Sequence, residues 1–163
     1  MLFDRRCTGN SSCPTGEKGN RHAADVATAV ATLRRSGARK VAVVGASAWG
    51  AVAIGSCVVV DIRGCVALSP ALFDLKLGDR LTANIAIARV RAPLLVADAP
   101  DDSDSPITRG ANPAPPSPTR RRLIRPTTRR RRHGWDTVND PNDPHRRSAF
   151  SARLTTFLDR HLK

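Results

Sequence analysis

The chain has no tyrosine and only two tryptophans and four phenylalanines, so aromatic residues make up 4% of its 163 positions. It lacks an apolar run long enough to span a bilayer, and its first six residues lack the profile of a signal peptide. The default expectation is a cytoplasmic protein with no membrane span. Its four cysteines, Cys7, Cys13, Cys57 and Cys65, form no C-x-x-C pair and no zinc-finger spacing with the histidines. That pattern argues against a structural metal, and no cofactor is expected. A Cys7–Cys13 disulfide across a Gly-rich loop is open to an oxidising compartment. Cys57 and Cys65 flank apolar stretches and read as buried small hydrophobes.

Acidic residues are missing from one stretch altogether. Residues 108–132 hold nine of the 27 basic residues and no acid, which leaves 18 basic against 14 acidic residues elsewhere, a balance of +4. The formal charge of +13 therefore belongs to one segment. Pro and Arg dominate 107–132, and its apolar residues are too scattered for a strand or a helix face. Such a segment cannot bury enough surface to offset its ordering entropy, so the sequence predicts disorder there. An arginine run from Arg120 to Arg132 is attracted to any polyanion, which gives an alternative, non-enzymatic reading: nonspecific binding to nucleic acid or an acidic membrane. No aromatic residues interleave the arginines to stack on bases.

What is present is organised around Lys40–Gly50, KVAVVGASAWG. A β-branched apolar run stops at Gly45, turns through Ala46–Ser47–Ala48, and reaches the small apolar residues Ala51–Ile54. Strand, sharp small-residue turn and helix start are the parts of a nucleophile elbow. The turn forces its central residue into a strained conformation and lifts the Ser47 hydroxyl clear of the sheet. Trp49 interrupts the G-x-S-x-G consensus.

Around this stretch, Met1–Asp4 reads as the end of a strand. His22 to Ser36 reads as a helix with Asn20 as N-cap, Val26, Val30 and Leu33 on one face, and Gly37 at C′. Lys40–Val44, Cys65–Leu68 and Pro93–Ala97 read as strands, with a helix from Ala48 to about Gly55 and another near Leu81–Ala88. A helical stripe of Phe150, Leu154, Phe157, Leu158 and Leu162 closes the chain, starting near Asp143–Pro144. His22 and His161 read as helix-surface residues and His145 as a loop residue. Strands alternating with helices predict a small parallel α/β sheet with flanking helices, its site at the carboxyl ends of the strands. Ser47 and Asp102 both fall there.

Four stretches, in order, resemble the α/β-hydrolase superfamily, and within it the dienelactone-hydrolase-like bacterial serine hydrolases. Asp4–Ser11, DRRCTGNS, looks like the family's D-x-R-G-x-G-x-S loop, with Cys7 in place of the first Gly. Gly45–Gly50, GASAWG, looks like G-A-S-M-G-G with Trp in place of Gly. Pro93–Val96 through Asp102 to Pro106 is similar to the strand and turn that present the acid, with Asp101 as the rival carboxylate. His133–Asp136, HGWD, looks like H-G-x-D.

The resemblance implies a partial α/β-hydrolase fold over residues 1–106, the segment 107–132, and a histidine loop with C-terminal helix over 133–163. It implies a Ser47, His133, Asp102 triad acting on small esters or lactones, with the Ala48 N–H as an oxyanion donor. The family's first three strands and the loop after the third have no counterpart in this sequence, so the second oxyanion donor is expected to be missing. The apolar strand that precedes the family's histidine is replaced by Arg129–Arg132. A weak or inactive remnant is therefore expected, with His133 held away from Ser47 and a three-stranded sheet open at both edges.

Overall fold

The computed structural model describes residues 1–4, 6–7, 9–13, 21–71, 89–97, 102, 121–124, 133–140, 143–147 and 149–163. Three helices and six strands are seen among them: α1 His22–Arg35, β1 Ala42–Ala46, α2 Ala48–Val59, β2 Gly64–Leu68, β3 Leu94–Ala97, β4 Arg121–Ile124, β5 Asn139–Asp140, β6 Asp143–Arg147 and α3 Ala149–Leu162. β1 to β4 form one parallel sheet in the order β1-β2-β3-β4. β5 and β6 form a separate antiparallel pair.

The central strands are continuous apolar runs because both of their faces are covered. Cys65 and Ala67 of β2, with Leu94 and Val96 of β3, point to one face, where Val26 and Val30 of α1 and Ala51, Val52 and Ile54 of α2 pack. Val66, Leu68, Leu95 and Ala97 point to the other, against Phe150, Leu154, Phe157 and Leu158 of α3. The period of two in the strands thus feeds two separate cores, and the period of 3.6 in α3 supplies the stripe that seals the second. Close packing shows at Gly64, where a Cβ would lie 3.3 Å from the Phe157 ring.

α1 ends as its sequence predicts. Gly37 takes φ 95°; its N–H donates to Arg34 O and the Ala38 N–H donates to Leu33 O, both at 3.0 Å. This is a Schellman closure, which only a residue comfortable at positive φ completes without strain. The guanidinium of Arg34 then reaches the Asp61 carboxylate at 2.9 Å.

Several expectations are corrected. The elbow strand is Ala42–Ala46 rather than Lys40–Val44, and α2 runs on to Val59 rather than ending near Gly55. The sheet has a fourth strand, Arg121–Ile124, inside the segment for which the sequence predicts neither strand nor helix face; Val96 and Ala97 pair with Leu123 and Ile124. Backbone pairing along β3 is enough for an edge strand, and arginines are tolerated at an edge as they are not in a sheet centre. Asp143–Pro144 begins β6, which includes His145, and the last helix begins only at Ala149. Met1–Asp4 forms no strand and pairs with no described strand.

His22 is buried at 6% exposure, its ring edge-on to Trp49 at 5.3 Å, rather than on the helix surface. Cys7 is bonded to Cys13, and Cys57 to Cys65, so the second pair is buried but is not two free thiols. The Asn20 cap, the Leu81–Ala88 helix, Asp101, Pro106 and the rest of 107–132 lie outside the described residues.

Candidate active site

β1 delivers the chain to Ser47 at φ 55°, ψ −126°, and α2 begins at the next residue. A non-glycine residue at positive φ costs about 1–3 kcal/mol and persists only where its surroundings hold it. Here the Ser47 N–H donates to Leu68 O at the end of β2 (2.8 Å), while its carbonyl accepts from Gly50 N–H (2.9 Å) and Ala71 N–H (3.3 Å). The bend brings strand and helix so close that a Cβ on Gly45 would lie 2.0 Å from Trp49 O, and one on Gly50 would lie 3.1 Å from the Pro70 Cα. The small residues on either side of Ser47 are therefore steric requirements of the turn, and Trp49 is compatible because the tight positions are Gly45 and Gly50.

Ser47 is partly exposed, and Ala48, the first residue of α2, is exposed. The N–H groups of a helix's first turn have no acceptor within the helix, and the helix dipole makes them a favourable setting for negative charge.

The second half of the site comes from the chain after β3 and from the loop ahead of the Gly134–Thr137 turn. Asp102 lies five residues beyond β3 and is 4% exposed. Its Oδ2 lies 2.9 Å, and its Oδ1 3.1 Å, from Nδ1 of His133. A carboxylate can only accept, so Nδ1 carries the proton and, on the neutral ring, Nε2 is the acceptor. The His133 side chain keeps 38% exposure against 2% for Asp102. The acid is buried behind the ring, and the ring faces outward.

Gly134 then turns the chain at φ 56°, and a Cβ there would lie 3.4 Å from Ala46 Cβ and 3.9 Å from Ser47 N. The loop carrying His133 therefore rests on the serine turn at Gly134, while no hydrogen bond between Ser47 and the His133 ring is seen among the described residues. β4 supplies a strand ahead of the histidine, where the sequence predicts none. The turn Gly134–Thr137 is closed from within by the buried Thr137 hydroxyl, which donates to Gly134 O at 2.7 Å.

The loop before α1 is organised by its charges. The Asp4 carboxylate accepts from Asn10 N–H at 3.2 Å, and the Ser11 hydroxyl donates to the Asp4 carbonyl at 2.7 Å. Arg6 Nε donates to Asp25 Oδ1 of α1 at 2.7 Å. Cys7, where the resembled family has Gly, takes φ 62°.

Sequence reasoning missed β4, whose Leu123–Ile124 pair is the one apolar couplet among the arginines. Only Arg121–Ile124 of the arginine tract lies among the described residues, and it is seen there as sheet backbone; the polyanion expectation falls on the remainder. Among the described residues there is no group of three or more His, Cys, Asp or Glu that could hold a metal ion, and no helix is long and apolar enough to cross a membrane.

Neither a protein-family model nor a curated protein matches the chain. Among solved structures it is similar to an esterase of Pyrococcus furiosus, with a TM-score of 0.71 at 18% identity over 99% of this chain and 70% of that one. The likeness is one of fold: this is an α/β chain with a hydrolase-like fold.

Proposed function

We propose that the protein is a serine hydrolase of the dienelactone-hydrolase-like type that cleaves small esters or lactones. The observation that carries this reading is the buried Asp102 carboxylate on Nδ1 of His133, in a loop that packs on the strained Ser47 turn. An aspartate on Nδ1 leaves Nε2 free to accept the proton of a nucleophile, which is the arrangement acyl transfer needs. The esterase likeness in fold agrees with it.

In this mechanism Ser47 Oγ attacks the carbonyl carbon as Nε2 of His133 takes the hydroxyl proton. The negative charge that develops on the carbonyl oxygen is met by the Ala48 N–H at the start of α2. His133 returns the proton to the leaving alkoxide, or to the ring-opened oxygen of a lactone, as the C–O bond breaks. Water, deprotonated by His133, then releases the acid from Ser47. Asp102 keeps the imidazole in one tautomer and stabilises its charged form throughout.

The test is hydrolysis of p-nitrophenyl acetate and of a simple unsaturated lactone by the parent and Ser47→Ala chains at equal concentration. The proposal requires a parent rate that Ser47→Ala reduces to background. Equal rates in the two proteins would sink it.

A further inference from the structure

The parallel sheet has two ends, and the candidate active site uses only one of them. Ser47 and Asp102 follow the carboxyl ends of β1 and β3. The opposite end, where the strands begin, carries a row of exposed cations. Lys40 stands two residues ahead of β1, Arg63 one ahead of β2 and Arg91 three ahead of β3, and all three are exposed. The register sets Ala42 beside Gly64 and Cys65 beside Leu94, so the three strands start level. Parallel neighbours lie about 4.8 Å apart, which roots the three cations along a line of about 10 Å.

The helices end on the same side. Arg34, in the last turn of α1, reaches Asp61 in the connection after α2 at 2.9 Å, and Lys40 Nζ donates to Lys163 O just past α3. Among the described residues the acids at this end are Asp61 and Asp159, and each is already bridged by a cation, Arg34 at 2.9 Å and Lys163 at 3.3 Å. Helix C-termini favour positive charge, which accounts for Arg34 and Arg35. It does not account for Arg39, Lys40, Arg63 and Arg91, which lie in connections ahead of strands. Amid this charge Val59, the last residue of α2, is 59% exposed, and Leu162 of α3 is 36% exposed.

We propose that this end of the sheet is a docking surface for an anionic lipid bilayer. The cations meet headgroup phosphates, and Val59 presses into the interface between headgroups and acyl chains. A bilayer offers negative charge and an apolar layer at adjacent depths, which matches cations ringing an exposed aliphatic side chain. A nucleic acid would engage the cations alone, since Val59 and Leu162 have no ring to stack on a base. β1 is five residues long. At about 3.3 Å per residue it holds the Ser47 turn some 16 Å from the docked end, on the water side.

Flotation of the full chain with vesicles tests the proposal, using phosphatidylcholine alone and phosphatidylcholine mixed with phosphatidylglycerol. The wild type should float with the mixed vesicles and not with the neutral ones, and added salt should weaken its binding. The pair Arg39→Glu, Arg63→Glu should weaken it at least about tenfold. The pair Arg21→Glu, Arg153→Glu changes the net charge equally at exposed positions in the opening halves of the molecule's outer helices, ahead of α1 and early in α3. It should cost less than about threefold. Val59→Ser should lower retention on mixed vesicles and leave binding to a DNA duplex, read by fluorescence anisotropy, unchanged. Far-UV circular dichroism checks that every variant is folded, and Arg39→Gln, Arg63→Gln should give a smaller loss in the same direction. No binding to mixed vesicles overturns the proposal. So does binding that survives Arg39→Glu, Arg63→Glu, which would assign it to the arginine tract, or that falls equally in both double variants. Tighter binding to the duplex than to the vesicles, with Val59→Ser without effect on either, would make the partner a nucleic acid and overturn it as well.

Discussion

Asp102 and His133 are 31 residues apart in the chain, and the carboxylate of the first holds Nδ1 of the second at 2.9 Å. The pair is asymmetric in burial, with the acid enclosed and the ring partly open to solvent. Replacing Asp102 by Asn keeps the shape but removes the charge and permits the other tautomer. Ester hydrolysis should fall on the order of 10³- to 10⁴-fold in kcat, with little change in KM. An NMR spectrum of the imidazole nitrogens should report the loss of the Nδ1–H tautomer, and an unchanged kcat would exclude Asp102 from the relay.

The turn at Ser47 makes a sharper structural demand. Gly45→Ala places a methyl group 2.0 Å from a backbone oxygen, a clash that no side-chain rotation relieves. It should cost at least about 3 kcal/mol, enough to bring a marginal domain near unfolding at room temperature. Urea denaturation monitored by circular dichroism measures this. A midpoint within experimental scatter of the parent would mean that strand and helix do not meet as described.

Gly134→Ala separates fold from activity. The added Cβ meets Ala46 Cβ at 3.4 Å and Ser47 N at 3.9 Å, ordinary contacts, so the main cost is the positive φ, about 1 kcal/mol. Relief of that strain shifts the loop that carries His133. Activity should fall by more than tenfold while the melting temperature falls by only a few degrees, read by parallel p-nitrophenyl acetate assays and thermal scans.

The core prediction concerns Leu68, fully buried at the end of β2 beneath α3. Leu68→Ala should destabilise the protein by about 2–5 kcal/mol through lost transfer energy and a residual cavity. Equilibrium urea unfolding checks it.

The Cys57–Cys65 bridge ties the last turn of α2 to β2 across a separation of 8 residues. Closing a loop of that length in the unfolded chain contributes about 2–3 kcal/mol in the entropic model. The double variant Cys57→Ser, Cys65→Ser should lose at least that, because it also buries two hydroxyls in an apolar cluster. Free-thiol titration under denaturing conditions should find none in the parent.

The sequence by itself determined the elements whose cause is local. Gly37 closes α1 because only a left-handed residue fits there, and the uninterrupted apolar runs of β2 and β3 could only be strands covered on both faces. The α3 stripe at a period of 3.6 was equally plain. The serine turn was legible too, because its small residues answer a clash between atoms four positions apart. Its consensus failed only at Trp49, where the turn has room.

Tertiary structure alone decided the rest. Leu123–Ile124 among arginines has no strand signal of its own and is a strand because β3 offers an unpaired edge to dock on. His22 is buried edge-on against the Trp49 ring, and His145 is in a strand because β6 pairs with Asn139–Asp140. Above all, no periodicity in the chain could say that Asp102 meets His133 or that Gly134 rests on Ser47. Those contacts join the ends of different strands, and strand order in a sheet is set by pairing energies between distant segments. A linear sequence displays the segments but not the pairings.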